Sequence, residues 1–289
     1  MATNARTKVL IAGGGVAGLE AILALRAIAP GRFDIELVTP QRHITSRSLC
    51  TRPPFLRATA TRTELATITA EHGVRLTRDA LELVEPDLHE VLTQGGARRP
   101  YDVLVLALGT RPAVSVQGAM PFRGLQDLDA VTAALDTVTS VAYIASSTSM
   151  WTAPLYDVAV QTAAWATHHQ KALDVLVVTA ERVGESLSAR LADARIEVVD
   201  EAVVERFSGG HLELADGRRV AVGLAVALPH LTCPRVRGMP SRSLDGFAVV
   251  DETGQAAGVA DIYAVGDMTG RRVLAAEQAG TAADAIAAS

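Results

Sequence analysis

Apolar stretches of strand length alternate with helical patterns along the whole chain. The stretches that predict strands are Lys8–Ala12, Asp34–Thr39, Asp102–Ala107, Val141–Ala145, Asp174–Thr179 and Val220–Leu228. The patterns that predict helices are Gly15–Ala29, Pro154–Thr167 and Val273–Ala288. Because helices between strands carry the chain from one strand to a parallel neighbour, this alternation predicts an α/β fold with a doubly wound parallel sheet.

Two groups of shorter strands interrupt the alternation, and each predicts a β-meander. The first contains Asp79–Val84 and Glu90–Thr93, and we expect it to be inserted into the sheet. The second contains Val203–Phe207 and His211–Leu214 around a glycine-rich turn. The repeated plan predicts two domains. We expect one domain at 1–112 with 229–289, and the other at 113–228, inserted between its two parts.

The composition fits a globular protein and argues against several classes of partner. Of the 289 residues, 49% are hydrophobic and 20% are charged, which is enough apolar surface for buried sheets. The net charge is −5 and the arginines are scattered, so we expect no nucleic-acid partner. No uninterrupted apolar run reaches the roughly 18 residues of a membrane span, so we expect no membrane partner.

The cysteines and histidines predict no metal site. Cys50 and Cys233 are the two cysteines and form no C-x-x-C pair, so neither a disulfide framework nor a zinc site is indicated. A reducing cytoplasm suits such a chain. His168 and His169 end a predicted helix, and we interpret them as solvated caps because a helical metal pair is spaced i, i+4.

The first predicted strand runs directly into a glycine-rich turn. Gly13, Gly15 and Gly18 complete a G-x-G-x-x-G motif between a strand and a helix, as in the phosphate-binding turn of a Rossmann-like dinucleotide-binding domain. Such glycines permit a tight turn, the approach of a pyrophosphate and close helix packing, while the helix N-terminus faces the phosphates. An acid usually ends the second strand and holds the ribose. Here Thr39 stands at that place and Glu36 lies within the strand.

Two later segments resemble the pyridine nucleotide-disulfide oxidoreductase superfamily. The segment 101–112, YDVLVLALGTRP, is similar to the second motif of that superfamily, and 261–267, DIYAVGD, is similar to its third. The resemblance implies that FAD is held between two dinucleotide-type domains. The family's equivalent of Asp267 accepts hydrogen bonds from the ribitol of FAD. The backbone around Ala80 is expected to lie against the adenine.

The glycine motif and the resemblance together predict a set of cofactor-binding residues. Val273 belongs to it because the positive N-terminus of the last helix is expected to stabilise the reduced flavin. The full set is Gly13, Gly15, Val16, Ala17, Gly18, Thr39, Arg47, Ala80, Ala107, Gly109, Thr110, Arg111, Gly266, Asp267 and Val273.

Within the superfamily, the chain most resembles the branch of sulfide:quinone reductase and flavocytochrome sulfide dehydrogenase. The resemblance is carried by Pro154-Leu155-Tyr156-Asp157 and by 246–251, GFAVVD. The sulfide chemistry of that branch uses a cysteine shortly before the first of these segments, and Trp151 and its neighbours supply none. We therefore do not expect sulfide oxidation. Trp151, Pro154 and Tyr156 are expected to line a substrate cleft.

Cys50 has two interpretations. The pattern Ser46-x-x-x-Cys50-x-x-Pro53 resembles the single-cysteine reductases, such as coenzyme A-disulfide reductase and NADH peroxidase, whose thiol reacts with the flavin. Cationic neighbours such as Arg47 and Arg52 would keep the thiolate ionised. The alternative, which we favour, is a small buried apolar residue.

The second domain lacks a phosphate-binding glycine turn. The predicted strand Val141–Ala145 is followed by 146–151, SSTSMW, in which every residue carries a Cβ. A pyrophosphate cannot approach this backbone as it approaches glycine, although the hydroxyls of Ser146, Ser147 and Thr148 could donate hydrogen bonds. Either NAD(P)H binds weakly, or the cleft serves another donor, such as a small organic molecule or a reduced protein. We expect the second.

The sequence thus predicts an FAD-dependent oxidoreductase whose substrate and oligomeric state it does not specify. One alternative is an NAD(P)H-dependent disulfide or peroxide reductase that uses Cys50 as its catalytic residue. Another is a flavin-binding partner subunit without turnover of its own.

Overall fold

The structure is a computed structural model that describes residues 6–46, 61–113, 116–123, 127–146, 152–239, 243, 246–271 and 273–289. The described residues form two compact units. Unit 1 consists of the described residues up to Ser46, of Thr61–Arg111 and of the described residues from Thr232 to Ser289, whereas unit 2 lies within Pro112–Leu231. The domain bounds predicted from the sequence were 112 and 229.

The elements are numbered in chain order. The strands are β1 Thr7–Ala12, β2 Phe33–Val38, β3 His43–Ser46, β4 Thr61–Glu64, β5 Arg75–Thr77, β6 Leu81–Glu85, β7 Glu90–Thr93, β8 Arg98–Pro100, β9 Val103–Leu106, β10 Arg111–Ala113, β11 Met120–Pro121, β12 Ser140–Ala145, β13 Asp174–Thr179, β14 Ile196–Val199, β15 Val204–Ser208, β16 His211–Leu214, β17 Arg219–Ala221, β18 Leu224–Ala227, β19 His230–Thr232 and β20 Ile262–Ala264. The helices are α1 Val16–Ile28, α2 Leu65–Glu71, α3 Leu128–Leu135, α4 Ala153–His168, α5 Glu185–Asp193 and α6 Ala275–Ala288.

Unit 1 is built on a five-stranded parallel sheet in the order β20-β9-β1-β2-β5. Successive side chains of a strand point to opposite faces, so the apolar run of β1 serves two cores. Val9 and Ile11 pack with α1 and α6 on one face. Leu10 and Ala12 pack on the other face with the strands β6 and β7. Burial on both faces explains why residues 9–12 of β1 and all of β9 are apolar.

Unit 2 repeats this plan. Its five-stranded sheet has the order β11-β18-β12-β13-β14 and is parallel throughout. Val141 and Tyr143 face the helices α3, α4 and α5, while Ala142 and Ile144 face the strands β15 and β16. The predicted α/β fold, with two Rossmann-like units that each carry a meander, is therefore confirmed.

The meanders differ from the prediction in their sheet membership. The strands β6-β7-β8 form an antiparallel three-stranded sheet of their own, as do β15-β16-β17, so the first meander is not inserted into the parallel sheet. The predicted strand Val220–Leu228 is in fact two strands, β17 and β18, in two different sheets. The chain changes sheets at Gly223, whose N–H donates to the Ser140 hydroxyl at 2.9 Å. A periodicity of apolar residues does not reveal such a change of sheet.

Candidate functional site

A cleft of about 470 Å³ opens in unit 1 at the carboxyl ends of β1, β2 and β9. In open parallel sheets, ligands bind beyond the carboxyl ends of the strands. The cleft brings together segments that are far apart in the sequence. Its walls are Gly13, Gly14, Gly15, Val38, Thr39, Pro40, Gln41, Ala80, Leu81, Gln94, Ala107, Leu108, Gly109, Thr110, Arg111, Pro234, Arg235, Val236 and Asp267.

The glycine turn is shaped by close contacts between backbone segments. Gly13 has φ +120°, and a Cβ at this position would overlap the carbonyl oxygen of Ala107. A Cβ on Gly18 would overlap the carbonyl oxygen of Gly13. Only glycine allows both approaches, so these two residues set the path from β1 into α1.

Gly15 differs from its neighbours because a Cβ there would meet nothing within 4 Å. The absence of a side chain at Gly15 leaves open space above the backbone, and an approaching phosphate requires such space. The helix α1 begins at Val16 with no acidic residue in its first turn and no side-chain hydrogen bond at Gly15, its N-cap. The N–H groups of Val16, Ala17 and Gly18 thus begin a helix whose positive end suits an anion.

Gly14 is a wall residue that the motif does not single out. A Cβ at Gly14 would lie 2.7 Å from Cδ1 of Leu65 and 2.9 Å from Oγ1 of Thr39. Thr39 is only 1% exposed, and its hydroxyl accepts a hydrogen bond from the Gln41 N–H at 3.3 Å. Thr39 therefore shapes the wall beside Gly14 and supports its neighbour Gln41.

Gln41 is the first exposed polar side chain beyond β2 that lines the cleft. Its backbone N–H is engaged by Thr39, and its carbonyl accepts from Nη1 of Arg78 at 3.1 Å. The residue as a whole is exposed and belongs to the cleft wall. Glu36, in contrast, accepts from the Thr77 hydroxyl at 2.6 Å and pairs with Arg75 at 3.5 Å, so it holds β2 to β5.

The backbone of Ala80 is already hydrogen-bonded within the protein. The N–H of Ala80 donates to Oδ1 of Asp79 at 2.8 Å, and its carbonyl accepts from the Gln94 N–H at 2.8 Å. Asp79 also accepts from the Gly95 N–H at 3.1 Å. The hydrogen bond from the Thr93 hydroxyl makes the largest contribution to lowering the pKa of Asp79. The N–H groups of Ala80 and Gly95 lower this pKa further, whereas desolvation opposes the change. Hydrogen bonds within the protein thus join this edge of the cleft, where Gln94 also belongs to the wall.

The second motif follows β9 and forms the opposite wall. The N–H of Ala107 donates to the Ala12 carbonyl at 2.8 Å, which joins the ends of β9 and β1. Gly109 has φ +63°, a conformation that favours glycine, and leads into Thr110 and Arg111. Arg111 and Arg235 are both exposed cations on the cleft wall. Arg235 was not anticipated from the sequence.

The third motif ends in a short 3-10 turn, Gly266–Thr269, after β20. Gly266 has φ +78°, and a Cβ there would lie 2.6 Å from the Cβ of Ala17. Asp267 is exposed and lines the cleft. Val273 lies two residues before the start of α6 and is outside the cleft wall, although it belongs to the same unit. The first turn of α1 and Gly266 support the wall without lining it.

The corresponding turn of unit 2 is built differently. The register that pairs Ala12 with Val38 and Leu106 pairs Ile144 with Val178 and Ala227, so Ala145 is the counterpart of Gly13. Ala145 does not belong to the described residues with positive φ, and it stays in β12. The next residue, Ser146, exchanges hydrogen bonds with the backbone of Val204, donating at 3.0 Å and accepting at 3.3 Å. Its hydroxyl thus holds β15.

Of the remaining predicted site residues, Tyr156 is the one whose side chain the structure describes. It lies on α4, packs in the helix-facing core of unit 2 and is 8% exposed. Cys50, Arg47 and Trp151 lie outside the described residues, as does the side chain of Pro154.

Other polar and sulfur groups have structural partners. His169 follows the end of α4, and its Nδ1 lies 2.9 Å from the Trp165 carbonyl. Cys233 is buried, and its thiol donates to the Met268 carbonyl at 3.4 Å. Over the described part of the chain, no group of three or more potential ligands is placed to hold a metal ion. Nor is any described helix long and apolar enough to span a membrane.

A profile of the pyridine nucleotide-disulphide oxidoreductase family matches residues 7–286. The chain belongs to this family. The match runs through the glycine turn, the second motif and the third motif, and so covers every segment of the cleft wall in unit 1. The superfamily resemblance that the sequence predicted is therefore confirmed, and the chain is classed among oxidoreductases.

Solved oxidoreductases of this type share the fold. The sulfide:quinone oxidoreductase from the hyperthermophilic bacterium Aquifex aeolicus is 18% identical, with a TM-score of 0.81 over 97% of this chain and 76% of that one. The ferredoxin reductase from Rhodopseudomonas palustris is 20% identical, with a TM-score of 0.65 over 96% and 75%. The water-forming NADH oxidase from Lactobacillus brevis is 15% identical, with a TM-score of 0.62 over 96% and 69%. No curated protein matches the chain by sequence.

Proposed function

We propose that unit 1 binds FAD and that the protein is an FAD-dependent oxidoreductase. The observation that carries the proposal is the convergence of three separate motifs on one cleft. The glycine turn at Gly13–Gly15, the segment Ala107–Arg111 and Asp267 all line it. An elongated dinucleotide needs phosphate, ribose and base contacts at several points, and a cleft with walls from three distant segments offers them.

The diphosphate of FAD is assigned to the glycine turn. Gly15 leaves open space above the backbone, and the N-terminus of α1 begins beside it without an acidic side chain. Arg111 and Arg235 add positive charge on the wall. The ribitol chain is assigned to Asp267, whose exposed carboxylate accepts hydrogen bonds from hydroxyl groups.

The adenosine end is assigned to Gln41 and Gln94. Thr39 is buried, so the residue that reaches the ribose from the end of β2 is Gln41, two positions later. The side-chain amide can both donate to and accept from hydroxyl groups, but it lacks the charge of the usual acid. Because the Ala80 backbone is engaged within the protein, the adenine is read by the side chain of Gln94 on the same edge.

FAD, when bound, supplies two-electron chemistry between a donor and an acceptor. The role of this chain is to bind the cofactor, orient it and set its electrostatic surroundings. The unit 2 turn favours a donor other than NAD(P)H, because Ala145 continues the strand and the Ser146 hydroxyl is tied to Val204. A small organic molecule or a reduced protein is the proposed donor. A reductase that uses Cys50 is the alternative, and the partner subunit without turnover is another.

The cofactor proposal is tested on the purified protein by its absorption spectrum and by titration of the apoprotein with FAD. We expect a yellow protein that holds FAD. Asp267→Ala should weaken FAD binding by about 1.5–3 kcal/mol, because a charged acceptor is lost. Asp284→Ala on the exposed side of α6 makes the same charge change away from the cleft and should leave binding unchanged. A colourless protein that takes up no flavin would refute the proposal.

Turnover is tested separately. Stopped-flow reduction of the FAD-loaded protein with a panel of small donors and reduced carrier proteins should give rapid bleaching with at least one of them. A protein that binds FAD yet is reduced by none would be a partner subunit instead. Cys50→Ser decides the reductase alternative, which requires that this variant lose turnover with disulfide or peroxide substrates.

A further inference from the structure

Gln278 is a buried polar residue near the start of α6 that makes contacts with two other segments. It is 7% exposed. Its Oε1 accepts from the Gly266 N–H at 3.1 Å and lies 3.0 Å from the Thr269 hydroxyl. Its Nε2 donates to the Val273 carbonyl at 2.9 Å. The side-chain amide of Gln278 therefore binds Gly266, just before Asp267 in the sequence, and Val273, just before α6.

The contacts require an amide. Oxygen must face the Gly266 N–H and nitrogen must face the Val273 carbonyl, so a flipped amide would place a donor against a donor and an acceptor against an acceptor. Glutamate can keep the first contact, but as a carboxylate it would face the Val273 carbonyl without a proton to donate. Leucine fills a similar volume and makes neither contact.

The Gly266 turn is also fixed from a second direction. Gly266 has φ +78° and packs so closely on Ala17 that no Cβ fits between them. Thr269 bonds back to the Gly266 carbonyl at 2.9 Å. Asp267, which extends into the cleft, is thus carried by a turn held between the first turn of α1 and Gln278.

We propose that Gln278 is a positioning residue that sets where the Asp267 carboxylate and the Val273 segment meet the bound cofactor. The inference rests on the proposed binding of FAD in unit 1. Gln278 does not line the cleft, so its effect on FAD is exerted through Gly266, Asp267 and Val273. Nothing in the sequence motifs identifies this residue, because its role comes from the contact between α6 and the turn after β20.

The test compares Gln278→Leu and Gln278→Glu with the wild type. Three quantities are measured: the FAD dissociation constant of the apoprotein, the midpoint potential of the bound flavin and the unfolding temperature of the apoprotein. Gln255→Leu is the matched control. This glutamine of unit 1 also binds loop carbonyls, with Nε2 donating to Val259 at 3.2 Å and also to Ala260, but it is not on the cleft wall.

We expect Gln278→Leu to weaken FAD binding about 10- to 100-fold and to lower the midpoint potential, because both contacts are lost. Gln278→Glu should fall between Leu and wild type, since it keeps the Gly266 contact. Gln255→Leu should lower the unfolding temperature while leaving both FAD readings at the wild-type value.

The proposal is overturned if Gln278→Leu lowers only the unfolding temperature and leaves the FAD affinity and the potential as in the Gln255→Leu control. If Gln278→Leu does not fold, Gln278→Glu decides alone, and wild-type affinity and potential in that variant overturn the proposal. A wild-type protein that binds no FAD refutes the proposed function itself, and the inference about Gln278 fails with it.

Discussion

The strand β1 of unit 1 stops at Ala12, whereas β12 of unit 2 continues one residue further to Ala145, although both strands pair with their neighbours in the same register. The difference lies partly in the adjacent strand. The N–H of Ala180 donates to the Ala145 carbonyl at 2.9 Å and prolongs the pairing. The corresponding residue in unit 1 is Pro40, which has no N–H to donate.

The two units therefore share a fold but differ in the turn after the central strand. Both units bury their central strands on two faces and carry a meander on one of them. In unit 1 the chain leaves the sheet directly after β1. Pro40 cannot extend the hydrogen-bonded pairing of β2 with β1, and Gly13 adopts φ +120°. The parallel sheet is kept in both units, while the turn for which we propose phosphate binding requires a few specific residues beyond the sheet.

The largest effect is expected from Gly13→Ala. The added Cβ would overlap the Ala107 carbonyl oxygen in a backbone conformation that alanine rarely adopts. Unfolding free energy should fall by roughly 3–5 kcal/mol, with loss of FAD binding. The counterpart change Ala145→Gly should cost only about 1 kcal/mol. Urea unfolding of both variants measures the difference, and equal losses would remove the distinction between the two turns.

Gly15→Ala is expected to lower the affinity for FAD without lowering the stability of the fold. A Cβ at this position meets nothing within 4 Å, so the unfolding temperature should stay near the wild-type value. The methyl group would occupy the space proposed for the diphosphate, and FAD affinity should fall about 100-fold. Fluorescence titration of the apoprotein with FAD gives the affinity. Undiminished binding would place the phosphates elsewhere.

Much of this contrast could be predicted from the sequence. The spacing of Gly13, Gly15 and Gly18 after an apolar strand indicated the turn, and the absence of glycine after Ala145 indicated its loss in unit 2. The same patterns did not reveal the role of Pro40 or of Gly14, because both act through contacts with other segments. Tertiary contacts of this kind leave no periodic signal.

The proposed contact with the FAD ribose is a second feature that the sequence patterns do not fully predict. The sequence predicts Thr39 at the end of β2 as a cofactor-binding residue; Thr39 and Gln41 both line the cleft, but Thr39 is buried and Gln41 is exposed. Our proposal places the ribose contact two residues later, at Gln41, and strand boundaries predicted from sequence are accurate only to a few positions. Likewise, the motif that singles out Tyr156 does not reveal that this residue packs in the core of unit 2.

Gln41→Glu is expected to strengthen FAD binding. A carboxylate accepts charge-assisted hydrogen bonds from the ribose hydroxyls, so the dissociation constant should fall roughly 3- to 10-fold. Gln170→Glu makes the same change on an exposed site of unit 2 and should have no effect. Titration of the two apoproteins provides the comparison. Weaker or equal binding by the Gln41 variant would mean that the ribose lies away from this residue.

A smaller effect is expected at the unit 2 turn. Ser146→Ala removes the two hydrogen bonds between the hydroxyl and Val204, and unfolding free energy should fall by about 1 kcal/mol. FAD affinity should not change, since Ser146 belongs to unit 2. Chemical denaturation and FAD titration test both statements. A large loss of FAD affinity would show that this turn takes part in binding after all.

The smallest effect is a dependence of stability on pH at Asp79. Its pKa is lowered from 3.8, first by the Thr93 hydroxyl. A lowered pKa means that the stabilisation is present above the ordinary aspartate value and is lost as the pH falls through the folded-state value. Asp79→Asn should therefore be less stable than wild type at neutral pH, and the difference should shrink at acidic pH. Urea midpoints at several pH values measure it, and a constant difference contradicts the assignment.

We propose that the two similar units differ in dinucleotide binding, and titration of the FAD-loaded protein with NADH and NADPH under nitrogen examines this difference directly. We expect one FAD per chain and no bleaching of the flavin within seconds at micromolar nucleotide, because the turn after β12 keeps Ala145 in the strand and engages Ser146. Bleaching within seconds at micromolar NADH or NADPH would contradict it, since the nucleotide would then bind and react despite the missing glycine turn.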